Sequence, residues 1–132
     1  MNILVVGRDG ATRKITKTIL KELKCDDIFE AVDARHSFKI IGDENVDLII
    51  SDWELAETSG LELLKKVRSG NGLKVLPTKS IDQVKNTPFI LILEEGDRDK
   101  IMQAINAKVN QCLIRPITAD MLIDKVRAVL KK

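Results

Sequence analysis

Leu48-Ile49-Ile50-Ser51-Asp52-Trp53 is an apolar, strand-forming run that stops on an acid. In an open α/β sheet, ligands gather where strands reach their carboxyl edge, so a carboxylate there is placed for chemistry on a bound group. The competing reading of Asp52 is a loop acid that caps a turn. A second stretch, Gly7 to Thr12, follows another apolar run and could hold phosphate. Its Gly7-x-x-Gly10 spacing is neither the dinucleotide fingerprint nor a P-loop, since no Gly-Lys-Ser/Thr follows. His36 is the only histidine, too few for a histidine-based hydrolase or metal cluster, and reads as an ordinary helix-face residue. Cys25 and Cys112 lie far apart without C-x-x-C spacing, which points away from zinc and redox chemistry.

The elements that must position these residues follow from hydrophobic periodicity. Ile3-Leu4-Val5-Val6 is a continuous apolar run, the pattern of a strand buried on both faces. Asp9 is placed to cap the next helix. That helix is predicted from about Ala11 to Lys24, with Ile15, Ile19, Leu20 and Leu23 inward and lysines on the other face. A weaker strand over Ile28 to Val32 precedes a short helix from Ala34 to Ile41, stopped by Gly42. The third strand, Val46 to Ser51, ends on Asp52. Ser59-Gly60-Leu61-Glu62 has capping-box spacing and opens a helix to Arg68, which Gly70-Asn71-Gly72 breaks.

Phe89 to Leu93 is nearly all apolar and reads as a central strand. A helix from Arg98 to about Lys108 follows, with Ile101, Ala104 and Ile105 inward. Cys112-Leu113-Ile114 is the last strand, and Thr118 caps a helix that buries Leu122, Val126, Val129 and Leu130. Five strands alternating with five helices predict a parallel sheet covered on both faces, a flavodoxin-like three-layer α/β sandwich.

Composition narrows the function classes. The 132 residues fit one domain, 1–132, and 3% aromatics require an aliphatic core and leave little to stack on a flavin ring. A net charge of +2 gives no sign of a nucleic-acid or membrane-surface partner. The basic end, Lys125, Arg127, Lys131 and Lys132, reads as complement to the helix macrodipole. Without a signal peptide or a run of spanning length, the expected location is the cytoplasm.

The motifs bring in a family. Over essentially its full length the chain resembles CheY-like response regulator receiver domains of two-component signalling. The resemblance rests on Ile50-Ser51-Asp52-Trp53 with Gly60-Leu61-Glu62-Leu63-Leu64-Lys65, on Lys21-Glu22-Leu23, and on Arg115-Pro116 after the fifth strand. It implies that Asp52 stands at the phosphoacceptor position and that the Arg115-Pro116 bond is cis. It further implies that the other site positions are altered. The magnesium-binding acidic pair falls on Gly7 and Arg8, the hydroxyl ending the fourth strand on Leu93, the lysine on Arg115, and the fifth-strand aromatic on Cys112. Leu55-Ala56 stands where Met-Pro is usual.

Those departures have chemical consequences. Phosphoryl transfer to a carboxylate needs a cation against the phosphoryl oxygens, in receivers Mg²⁺, which demands near-octahedral oxygen ligands. Gly7 removes a ligand and Arg8 adds a like charge; at 4 Å two unit charges interact by roughly 4 kcal/mol at an effective dielectric near 20. Asp9 with Asp52 would be the remaining weak metal site, although Asp9 reads more simply as a helix cap. Arg8 either sits beside Asp52 and neutralises it or points to solvent, and Arg115 can approach Asp52 from the opposite strand end. Leu93 cannot donate a hydrogen bond and Cys112 is too small for the aromatic lever, so the usual switching parts are gone.

The expected function is a receiver module in phosphorelay signalling that works by protein–protein contact with a histidine kinase or other signalling protein. It is not an enzyme beyond aspartyl-phosphate self-transfer at Asp52, and that transfer is expected to be weak or absent, with Mg²⁺ binding compromised. The resemblance implies a contact surface on the family's fourth helix, fifth strand and fifth helix. The expected state is a monomer or weak dimer, with no output domain after the last helix. Two alternatives stand beside it: a flavodoxin-like cofactor binder, and an assembly domain independent of phosphorylation. Residues 70–87, an enlarged loop with Pro77 and a helical turn beginning at Ser80, are either a partner-binding lobe or, as favoured, a tolerated insertion.

Overall fold

The computed structural model describes residues 1–75, 77 and 79–130. Lys131 and Lys132, half of the basic end, lie outside those residues. Five strands form one parallel sheet: β1 (Asn2–Val6), β2 (Asp27–Ala31), β3 (Leu48–Asp52), β4 (Phe89–Leu93) and β5 (Gln111–Ile114). Their order is β2-β1-β3-β4-β5, with Val6 opposite Ser51, Asp52 opposite Ile92, and Leu93 opposite Ile114.

Six α-helices cover the sheet among the described residues: α1 (Gly10–Leu20), α2 (Ala34–Asp43), α3 (Gly60–Ser69), α4 (Ile81–Lys85), α5 (Arg98–Asn106) and α6 (Ala119–Leu130). A 3₁₀ turn, Lys21–Leu23, extends α1. No described helix is long and apolar enough to cross a membrane.

Strand periodicity divides the core in two, because successive side chains leave opposite faces of the sheet. Leu4, Val6, Ile49, Phe89 and Leu91 pack with α2 to α5, while Ile3, Val5, Ile50 and Ile90 pack with Leu20 of α1 and Leu122 and Val126 of α6. Every residue of β4 is buried, as its apolar sequence requires.

Two inward assignments differ. Ile15 is 63% exposed and Ile105 54%, whereas the buried positions are Thr16 and Leu20 on α1 and Ala104 on α5. Each isoleucine adjoins a buried residue in sequence and so lies about 100° round the helix from it. On α6, Val129 and Leu130 are only partly buried, and Ile123 joins the core beside Leu122 and Val126. Gly42 does not stop α2; it lies in the last turn, where the carbonyl of Lys74 occupies the space a Cβ would need.

The described residues of the segment 70–87 pack as a lobe and include α4, which accounts for six helices where the periodicity predicts five. Ser80 and Gln83 form a complete capping box at the start of α4, and Val84 is fully buried. Lys79 Nζ donates to carbonyls at the end of α2, Ile41 at 3.2 Å and the capping residue Glu44 at 3.1 Å. Arg68, at the end of α3, donates to the carbonyls of Lys85, Thr87 and Lys108 and to Asn110 Oδ1, at 2.6 to 3.0 Å.

Candidate functional site

In this strand order the winding reverses between β1 and β3, and a crevice opens beyond their carboxyl ends. Asp52, the last residue of β3, stands there beside the β1–α1 turn at Gly7. The strand is continued by Trp53, whose N–H donates to the Ile92 carbonyl and whose carbonyl accepts from Gly60 at 2.6 Å. A side chain at Gly60 would collide with the Asp52 carbonyl and Leu91, so glycine there lets α3 start against the strand end.

The carboxylate of Asp52 is held on two sides. Oδ1 accepts a hydrogen bond from Arg115 Nη2 at 2.5 Å, within an ion pair whose side chains are 18% and 31% exposed. Oδ2 lies in the space that a Cβ on residue 7 would fill, only 2.6 Å from its ideal position. Arg115 follows β5 just before a cis bond to Pro116, and its Nε lies 3.3 Å from Glu94 Oε1. Burial pushes the Asp52 carboxyl above the usual carboxylate range, Arg115 opposes this by charge and hydrogen bond, and Glu94 and Asp9 add to the rise.

Arg8 and Asp9 line the same cleft but turn to other partners. Arg8 Nη2 pairs with Glu54 Oε2 at 2.7 Å, with both side chains more than 60% exposed. Arg8 therefore does not neutralise Asp52: Glu54 takes its guanidinium in the open, where little desolvation is required. Asp9 caps α1, accepting from Ala11 N at 3.0 Å and Thr12 Oγ1 at 2.7 Å, and these bonds, the Thr12 hydroxyl's first, hold its carboxyl below the usual range. Leu93 is buried in the core at 1% exposure. Cys112 is half-buried on β5, and burial pushes its thiol up, away from the reactive thiolate form.

Several contributors escape sequence reading. Lys100 of α5 reaches the cleft with its ammonium 5.3 Å from the Trp53 ring and 2.9 Å from Asp97. Arg13 donates to the Gly7 carbonyl at 2.5 Å and to Glu30 at 3.2 Å, fixing the β1–α1 turn from below. Only the signs of Glu54 and Glu94 hint at pairing, because their partners, Arg8 and Arg115, lie far away in the chain.

Magnesium needs oxygen ligands close to octahedral geometry, and the donors here do not supply that set. One Asp52 oxygen is on a guanidinium, the other fills the gap above Gly7, and Asp9 is committed to the helix cap. Among the described residues, no three acidic, histidine or cysteine side chains gather to hold an ion.

Known proteins share this architecture and sequence pattern. The chain is 33% identical over 132 residues to chemotaxis protein CheY1 of Helicobacter pylori (strain J99), covering 98% of this chain and 97% of that protein. It is 29% identical over 132 residues to chemotaxis protein CheY of Pseudomonas aeruginosa, covering 100% and 98%. Among solved structures, chemotaxis protein CheY4 of Vibrio cholerae superposes with a TM-score of 0.80 at 22% identity over 97% of both chains. The receiver domain of a sensor histidine kinase from Pseudomonas aeruginosa PAO1, with a magnesium ion coordinated in its active-site cleft, gives 0.80 at 14% identity over 99% and 98%. The model of the response regulator receiver domain matches residues 3–127, and with the sheet order and the placement of Asp52 this chain belongs to the response regulator receiver domain family of two-component signalling.

Proposed function

We propose that this receiver domain signals by protein–protein contact and that phosphorylation of Asp52 is weak or absent. The observation that carries this reading is the Arg115 guanidinium on Asp52 Oδ1, with Gly7 and Arg8 standing where the family's acidic pair would supply metal oxygens. Phosphoryl transfer to a carboxylate needs a divalent cation to spread the charge. The cleft offers an ion pair in place of that cation, so Mg²⁺ binding is lost with the acidic pair.

Family membership supports a signalling module over a flavin binder or an enzyme. The partner is a histidine kinase or another signalling protein, met in the cytoplasm by a monomer or weak dimer. By the family's pattern the contact face is α5, β5 and α6, where Met102 and Ile105 stand 56% and 54% exposed. Any residual chemistry is self-transfer at Asp52.

The test is incubation with acetyl phosphate or beryllofluoride, with and without Mg²⁺, read by intact mass and NMR shifts. The native chain should give no Mg²⁺-dependent adduct, while a Gly7→Asp/Arg8→Asp variant should gain one. An Mg²⁺-dependent adduct on the native chain that Asp52→Asn abolishes would overturn the proposal.

A further inference from the structure

The lobe at 70–87 closes one end of a groove between α2 and α3, and neither the cleft nor the family's contact face accounts for it. Two adjoining cavities of about 650 and 280 Å³ make up this groove and share Phe38 and Gly72. Phe38 is partly buried, with Leu73 of the lobe as apolar neighbour in the same groove. The ammonium of Lys66 lies over the Phe38 ring at 5.0 Å. Lys39 and Lys74 line the smaller cavity with one carboxylate, Asp43. On the larger cavity's wall, Lys65 and Glu62 offset one another at 3.7 Å. Three lysines thus face one acid around an aromatic and aliphatic floor.

The lobe's side of the groove is fixed in advance. The Lys74 carbonyl rests on Gly42, and Lys79 holds carbonyls at the end of α2. A preformed wall lowers the ordering cost of binding.

We propose that this groove docks an acidic segment of a partner protein that carries one large apolar side chain flanked by carboxylates. The apolar group takes the place of the Lys66 ammonium on the Phe38 ring. The displaced ammonium, with Lys39 and Lys74, then meets the carboxylates. Charge complementarity sets the sign of the partner, and the apolar floor favours a peptide over a nucleic acid. The proposal stands apart from the state of Asp52.

A second basic surface on the molecule serves as an internal control. Lys14 and Lys17 of α1, with Lys21 and Lys24 in and just after the 3₁₀ turn that extends it, form that surface. It carries comparable charge; the groove alone has Phe38 and Leu73 as its floor.

The experiment is an NMR titration of the ¹⁵N-labelled chain with a synthetic Glu/Asp-rich peptide bearing a central Phe. An equally acidic peptide with a central Gly, a Gln/Asn analogue and a single-stranded oligonucleotide are run beside it. Expected are shifts at Phe38, Lys39, Lys66, Leu73 and Lys74 that fade as salt rises from about 0.05 to 0.5 M, because the charges are exposed. The Gly-centred and neutral peptides should bind at least about tenfold more weakly, as should the Phe-centred peptide to K39E/K66E/K74E, since rim charges and an apolar anchor act together. Those substitutions are on the surface, and a dispersed spectrum verifies the fold; Lys66→Met gives a milder second variant, expected to reduce the salt dependence. No shifts at millimolar peptide, shifts shared equally with the α1 lysines, equal binding of the Phe- and Gly-centred peptides, or stronger groove binding by the oligonucleotide would each overturn the proposal.

Discussion

Asp52 and the missing side chain of Gly7 claim one space: a Cβ on residue 7 would lie 2.6 Å from Asp52 Oδ2, closer than real Cβ contacts come. The carboxylate leans over a residue that has nothing to push it away, and Arg115 holds its other oxygen. The bare backbone at position 7 gives the Asp52 carboxylate somewhere to fold.

Gly7→Ala should move that carboxylate. With no left-handed backbone at Gly7 to add strain, the cost is steric, about 1–3 kcal/mol for overpacking a close-fitted position. Urea denaturation should show the loss, and NMR should show the Arg115 guanidinium resonance shifting as its partner is displaced. An unchanged guanidinium signal would mean that Asp52 leans elsewhere in solution.

The acidity of Asp52 has a definite sign. Burial raises its carboxyl above the ordinary value of about 3.9. The folded state then binds the proton more readily than the unfolded chain does. The contribution of Asp52 to stability is complete below the unfolded value and is lost as pH rises through the folded one. Relative to the native chain, Asp52→Asn should lack this fall. Arg115→Gln should raise the Asp52 carboxyl further by removing the charge and hydrogen bond that oppose burial, so ¹³C titration of the carboxyl should move upward in that variant.

Arg68 ties three segments through four acceptors, the carbonyls of Lys85, Thr87 and Lys108 and the amide oxygen of Asn110. Arg68→Ala leaves partly buried carbonyls without donors, and a loss of about 2–4 kcal/mol is expected by urea unfolding. Arg68→Lys should recover only a minor part, because an ammonium cannot reproduce the planar fork.

Gly42→Ala tests how the lobe is seated. Its Cβ would meet the Lys74 carbonyl, backbone that cannot rotate aside. Expected are a loss of about 1–3 kcal/mol and faster hydrogen exchange around Leu73 to Val75 and in α4, with the β4 amides unchanged.

The sheet was legible where its strands are short apolar runs, and β4 has the bounds that its composition predicts, Phe89–Leu93. Caps were legible for the same local reason: Asp9, Ser59 and Thr118 each accept from a nearby helical N–H. The Ser80 turn showed in sequence, but its growth into α4 depends on the burial of Val84, a tertiary fact. Gly42 illustrates the limit from the other side. A glycine at a helix end reads as a stop, yet it is there to admit a carbonyl from thirty-two positions further on, at Lys74. In the cleft, the identity of each altered position was readable, and the direction of each side chain was not. Arg8 and Arg115 carry the same charge beyond the ends of β1 and β5, on either side of β3, and the choice between them turns on Glu54, which lies within reach of Arg8.

The bond from Arg115 to Asp52 spans from the end of β5 to the end of β3, across the intervening β4. Mechanically it is a crosstie laid over three rails. The tie makes that edge of the sheet a beam: a load on the end of β5 reaches the end of β3 directly, without passing through the backbone hydrogen bonds of β4.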